Sequence, residues 1–319
     1  MRERVSVVVC TFNRCDSLDD TLKSLQAMTV PENIDWDLVI VDNKSTDGTR
    51  SVIEKFSANA EVNVKYVFEP IQGLSHARNR GVLSTESEYI AFTDDDVLVK
   101  EDWLASIVEA FATSGADCVG GKIIPHWLGE RPRWLSDNLM NILAMLDHGD
   151  KTLELDLKHD DRILYGANFA FRRASLIKAG LFNVGLGRKG DSGAGEDKEI
   201  LEKLSLIGGK IIYHPKVTVL HKVPPERLNK AYFRKWCYVA GRDRATITRD
   251  CRFTVFGIES YLFREFIQTS VNLSLAVVGL KWDRAFEHEL RWILYLSGFK
   301  HKLAMGKFNP WAKIGESTK

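Results

Sequence analysis

Asp94, Asp95 and Asp96 follow directly on the apolar run YIAFT. Period-two geometry carried through them sends Asp94 and Asp96 to one side of a strand and Asp95 to the other. Two convergent carboxylates make a site for a hard cation; Mg2+ or Mn2+ held there clamps a diphosphate and stabilises charge as it departs. Taken alone, the same triplet reads equally as a solvated turn after a strand. A second acid pair, Glu196 and Asp197 in GED, opens KEILEKLSLIGG, where Ile200, Leu201, Leu204 and Ile207 mark a helix face. Acids in a first helical turn complement the dipole and cap free amides. The chemical alternative is a general base that takes the proton from an attacking hydroxyl.

The elements that must position these acids are legible upstream. VSVVVC, DLVIVD, VNVKYVF and EYIAFTD are short β-branched or apolar runs, separated by helical patterns from about Ser17, over Thr46 to Ser57, over Ser75 to Leu83 and from about Glu101 to Thr113. Leu18, Leu22 and Leu25 share one helix face, and the strands are nearly continuous apolar runs, as strands covered on both sides must be. This predicts an α/β fold with a mainly parallel central sheet flanked by helices. Ligands of such sheets bind beyond the carboxyl ends of the strands. The residues there are Thr11, Phe12, Asn13 and Arg14 after the first run, Asp42, Asn43 and Ser45 after the second, and the three aspartates after the fourth.

The 319 residues are expected to divide into a catalytic domain over 1–222, with a nucleotide-binding half over 1–120 and an acceptor-binding half over 121–222, and a helical region over 223–319. Lys plus Arg number 44 against 43 acids, so no global charge points to nucleic acid as a partner. Five cysteines without ligand spacing, and an N-terminus without signal-peptide character, indicate the cytoplasm. The uncharged stretch Phe266 to Leu280 is shorter than the roughly 20 apolar residues a membrane span needs. Gly185, Gly187 and Gly190 satisfy GxGxxG but follow no opening strand and lead into DSGAG, so they read as loop hinges rather than a dinucleotide fingerprint. No GxxxxGK[ST] or GxSxG occurs. The helical region interleaves Trp236, Tyr238, Trp282, Trp292 and Tyr295 with Arg234, Lys235, Arg291, Lys300, Lys302 and Lys307. That suits peripheral attachment to the inner face of a membrane, and equally aromatics packed on the catalytic domain beneath a solvated cationic face.

In order, VSVVVCTFNR, DLVIVDNKSTDGT, GLSHARNRG, EYIAFTDDD and GED resemble the inverting glycosyltransferases of family two, which have the GT-A fold; the similarity covers about Val5 to His221. The resemblance implies a nucleotide-sugar donor, UDP-linked by preference, and a carbohydrate or lipid-linked glycan acceptor. Thr11, Phe12, Asn13 and Arg14 would line the nucleotide pocket, with Asp42 accepting a hydrogen bond from the base and Asn43 beside it. Arg78 would approach the nucleotide or its phosphates. Asp94 would lie on the ribose side, Asp95 counts among the donor-binding residues, and Asp96 would coordinate Mn2+ or Mg2+. His221, after VTVL, resembles a histidine placed near the diphosphate or metal; by itself it reads equally as a buried or capping side chain. Of the acid pair, Asp197 is favoured over Glu196 as base. Competing readings are a nucleotidyltransferase of related fold, which would want a glycine-rich loop after the first strand, and a non-catalytic sugar-nucleotide scaffold.

Overall fold

The computed structural model describes residues 2–159, 162–190, 193, 195–246, 254–255 and 258–304. They form two compact units. The first comprises Met1–Leu128, Leu143–Gly190 and Ala194–Val223; the second comprises Gly129–Ile142, Asp191–Gly193 and Pro224–Lys319.

In the first unit β1 (Glu3–Thr11), β2 (Ile34–Asp42), β3 (Asn63–Phe68) and β4 (Tyr89–Asp94) alternate with α1 (Cys15–Gln26), α2 (Thr49–Ser57) and α3 (Leu74–Leu83). β5 (Val97–Val99), α4 (Trp103–Ser114), β6 (Cys118–Trp127), β7 (Leu153–Glu154), β8 (Asn168–Arg172), α5 (Arg173–Lys178), α6 (Glu196–Leu206) and β9 (Ile211–Val223) complete it. One sheet runs β3-β2-β1-β4-β8-β6-β9-β5, with β7 on β9. β1, β2, β3 and β4 are mutually parallel where they pair, whereas β8 is antiparallel to both its neighbours. The fold is the expected α/β one. Val5, Val7, Val8 and Val9 of β1 are fully buried on both faces because helices cover both, and Leu18, Leu22 and Leu25 of α1 form the predicted buried stripe.

Parallel pairing in register brings the carboxyl ends together: Thr11 lies opposite Asp42, and Cys10 opposite Asp94. β4 stops at Asp94, Asp95 and Asp96 turn, and β5 returns to pair antiparallel with β9, Val97 opposite His221. Beneath the crevice Phe92 sets its edge or face against Phe169, Phe171 and Phe182 at 5.5–6.3 Å between centroids, contacts worth about 0.5–1.5 kcal/mol each beyond burial. Asn168, fully buried, accepts from Trp103 Nε1 and donates to the carbonyls of Lys122 and Val217, so one amide ties α4, β6 and the β9 region to β8.

The second unit is built on α7 (Lys230–Thr246), α8 (Ser260–Val278) and α9 (Trp282–Ala304). Gly241 of α7 lies so close to α9 that a Cβ there would stand 2.1 Å from the Leu294 carbonyl. Trp134 sets its ring edge-on to Phe233 and Phe286, 5.1 Å from each, which draws Gly129–Ile142 to these helices although the sequence reading placed it with residues 121–222. Phe263 and Phe266 of α8 pack on Trp292 and Phe299 of α9. Among the described residues no helix is long and apolar enough to cross a membrane.

Candidate active site

Two acid clusters gather at the carboxyl ends of the strands, each around one arginine. The first is the turn after β4. Because the strand ends at Asp94, period two does not extend to the next residues, and the expectation that Asp95 points away from the site is corrected. Asp95 turns inward, accepting from the Thr11 hydroxyl at 2.8 Å and from Arg14 Nη1 at 3.1 Å. The same Arg14 Nη1 reaches Asp96 Oδ2 at 2.5 Å. Burial drives the Asp95 carboxyl up to about 7 against the pull of Arg14. Asp96 Oδ1 lies 3.3 Å from His221 Nε2, and the Lys222 N–H donates to the Asp96 carbonyl, so the turn is stitched to β9 beside the histidine.

The second cluster is centred on Arg78 of α3, whose side chain is 3% exposed. Its guanidinium bonds Asp197 at 2.7 Å and Glu196 at 3.3 Å in the first turn of α6, and Asp94 lies within 3.8 Å. The faces of Phe169 and Phe182 hold it at 5.5 and 5.3 Å. Burial works against the charge, but Asp197, Glu196 and Asp94 more than offset it and raise the Arg78 pKa above its usual value. Arg78 is thus engaged with acids in the protein by itself. Asp197 also accepts the Gly166 N–H at 2.9 Å. Glu196 is nearly buried, and burial first, then the charge of Asp197, pushes its carboxyl up to about 7. Beneath both clusters burial pushes the Cys10 thiol up to about 12, so it stays neutral.

The remaining sequence-nominated residues divide into rim and frame. Phe12, 39% exposed, and Asp94, with a third of its side chain exposed, stand at the rim. Asn13, in a left-handed conformation (φ 52°), accepts the Thr46 N–H and steadies the loop after β1. Asp42 is buried, accepting from the Ser45 N–H and the Tyr66 hydroxyl. Asn43 bonds the carbonyls of Glu69 and Ile71 and the N–H of Gly73, a frame role that its place after a strand did not disclose. Gly187 (φ 92°) and Gly190 (φ 63°) have the left-handed backbone that favours glycine, whereas Gly185 does not.

Gly166 escaped the sequence reading. A Cβ there would stand 1.9 Å from Arg78 Nη2 and 2.8 Å from Asp197 Oδ1, so only glycine lets the backbone approach the pair. The signal was a glycine just before the strand NFAFR. Phe169 and Phe182 were equally invisible, since a ring facing a guanidinium and a ring in a core have the same pattern.

The Asp96–His221 pair suits a divalent cation. One carboxylate and the imidazole Nε2 converge from a turn and a strand that are bonded to each other. No cluster of three or more His, Cys, Asp or Glu side chains poised for a metal occurs among the described residues. Phosphate oxygens and water would complete the shell, which is how Mg2+ is commonly held.

With this geometry in view, the comparisons are decisive on class. The profile "Glycosyl transferase family 2" matches residues 6–180. The chain belongs to glycosyl transferase family 2. This glycosyltransferase is 30% identical over 239 residues to the succinoglycan biosynthesis protein ExoM of Rhizobium meliloti, covering 75% of this chain and 73% of that one. It is 27% identical over 225 residues to the glucosyl-dolichyl phosphate glucuronosyltransferase of Haloferax volcanii, 69% of each. Its fold matches the Pyrobaculum calidifontis mannosyltransferase solved with GDP-Man and Mn2+ (TM-score 0.63, 19% identity, 95% of this chain and 88% of that chain). It also matches S. aureus TarS 1–349 solved with UDP (TM-score 0.54, 16% identity, 95% and 92%). The matched family range stops before Glu196, Asp197 and His221, which the geometry brings beside Arg78 and Asp96.

Proposed function

We propose that this enzyme transfers a sugar from a nucleotide diphosphate donor, UDP-linked by preference, to a hydroxyl of a carbohydrate or lipid-linked glycan, inverting the anomeric carbon. We place it in cell-surface polysaccharide or glycoconjugate synthesis, in the cytoplasm at the inner face of the cytoplasmic membrane. The observation that carries this reading is the bridge Asp94–Arg78–Asp197, which couples the end of a nucleotide-side strand to the acids that open α6. The naming of the relatives supports the pathway, and the nucleotides in the solved neighbours support the donor class.

In this reading Asp197 takes the proton of the acceptor hydroxyl. It must touch the acceptor, and its side chain is 20% exposed against 9% for Glu196. Arg78 and the Gly166 N–H aim its two oxygens, and Glu196 stands behind it. Asp42 uses one lone pair on each oxygen for Ser45 and Tyr66, which leaves acceptor capacity for the uracil N3–H. Asp96 and His221 would hold Mg2+ or Mn2+, which supplies neutralisation of the leaving diphosphate. Arg14, beside Asp96 and partly exposed, would supply a contact to phosphate.

Calorimetric titration of UDP, GDP and dTDP into wild type and Asp96→Ala, with and without Mn2+, tests the donor site. Metal-dependent UDP binding that weakens about 10- to 100-fold in the variant is the expected result. Tighter binding of GDP or dTDP corrects the donor, and affinity indifferent to Mn2+ and to Asp96 removes the metal from the reading.

A further inference from the structure

The helical region departs from the rest of the chain in charge. Residues 224–319 carry 17 Lys or Arg against 9 Asp or Glu, a net +8 within a protein whose total is +1. Such asymmetry between parts of a chain marks an anionic partner.

Four of the side chains that the sequence nominates for membrane contact are engaged within the unit, and a fifth, Lys307, lies outside the described residues. Trp292 packs on Phe266, Trp236 and Tyr295 are half-buried, and Arg234 is bonded to Glu289 at 2.6 Å. Exposure lies instead on one face of α8. Ile267, Val271, Leu275 and Val278, spaced by four, four and three residues, are 62, 52, 65 and 82% exposed. The chain carries no charge from Phe266 to Leu280.

The turn that follows extends the same surface. Leu280 adopts φ 54° and the Lys281 N–H bonds the Ala276 carbonyl, closing the helix with leucine where glycine is usual. Leu280 and Trp282 are 70 and 61% exposed, so this conformation is kept at a position where the side chain gains little packing within the unit. Exposed Arg264, paired with its neighbour Glu265 at 3.4 Å, flanks the face at one end, and Lys281 and Arg284 flank it at the other, with Asp283 between them.

We infer that this face of α8, with Leu280 and Trp282, is an interfacial surface that seats the protein on an anionic lipid bilayer. The inference deepens the membrane-contact part of the proposed function and rests on it. From Ile267 to Val278 the face extends about 16 Å, too short to cross a bilayer, and an uncharged stripe bordered by cations is what lies in the headgroup boundary. Charge selects lipid over a second copy, since two such faces would bring two +8 regions together while anionic headgroups attract them.

Flotation of the full-length protein with phosphatidylcholine vesicles, with and without 30% phosphatidylglycerol, tests it. Wild type is expected to float with the anionic vesicles and to be released by about 0.5 M salt. Val271→Glu with Leu275→Glu is expected to lower partitioning about tenfold or more at an unchanged melting midpoint. Leu280→Ser, in the turn outside both helices, repeats the test without a helical charge, with a smaller loss. If wild type floats and both variants float equally well, the membrane contact stands and α8 is wrong. If wild type floats with neither vesicle, both fall; if the double variant instead turns a dimer into a monomer, the face belongs to a second copy.

Discussion

The two acid clusters have the same inventory, carboxylates around one arginine, and opposite mechanics. Arg14 sits in a loop with a third of its side chain exposed and shares a single nitrogen, Nη1, between Asp95 and Asp96. Arg78 is buried, sandwiched near two phenyl faces, and fixed by Asp197, Glu196 and Asp94. A partly solvated pair can exchange partners at little cost, so Arg14 is suited to yield Asp96 to a cation. A buried pair cannot lose a partner without stranding charge, so Arg78 is suited to permanent aim. Exchangeable electrostatics thus lie where a leaving group arrives and departs, and fixed electrostatics where a base must hold its direction.

The sharpest break of this contrast is Asp197→Asn, expected to lower kcat by about 10²- to 10⁴-fold while leaving nucleotide affinity near wild type. Nucleotide affinity falling in step with kcat would make Asp197 a donor-site residue. Next in size is the pair Arg78→Lys and Arg14→Lys. Loss of the planar fork in the buried site is expected to destabilise the fold by about 3 kcal/mol, against about 1 kcal/mol or less at Arg14; equal denaturation midpoints would erase the distinction.

Gly166→Ala is expected to lower stability by about 1–3 kcal/mol and activity with it, because the new methyl displaces Arg78 from Asp197. Wild-type turnover in this variant would show that the Gly166 approach is incidental. The last prediction concerns pH dependence. The Glu196 carboxyl is pushed up to about 7 in the fold and titrates near 4.3 when unfolded. Between those values the folded state binds the extra proton, so stability from this group is full below about 4.3 and is lost as pH rises through about 7. Urea midpoints at pH 4.5 and 7.5 are therefore expected to differ less in Glu196→Gln than in wild type, and an unchanged difference would show that Glu196 titrates alike in the folded and unfolded states.

Much of this was legible in one dimension because local patterning is local physics. Continuous apolar runs determined strands buried on both faces, Leu18, Leu22 and Leu25 determined which side of α1 meets the sheet, and the ends of those runs located Arg14, Asp42 and Asp94 at one end of the sheet. Period two failed at Asp95 because a strand's periodicity lapses where its ladder does, and the residue after β4 belongs to a turn. Tertiary structure alone decided that Arg78 meets Asp197, 119 positions away, that Gly166 must have no side chain, and that the apolar side of α8 is exposed among the described residues. Periodicity says which face of an element is apolar or charged; it carries no term for what that face meets, because the meeting is set by sheet order and loop path, which depend on the whole chain at once.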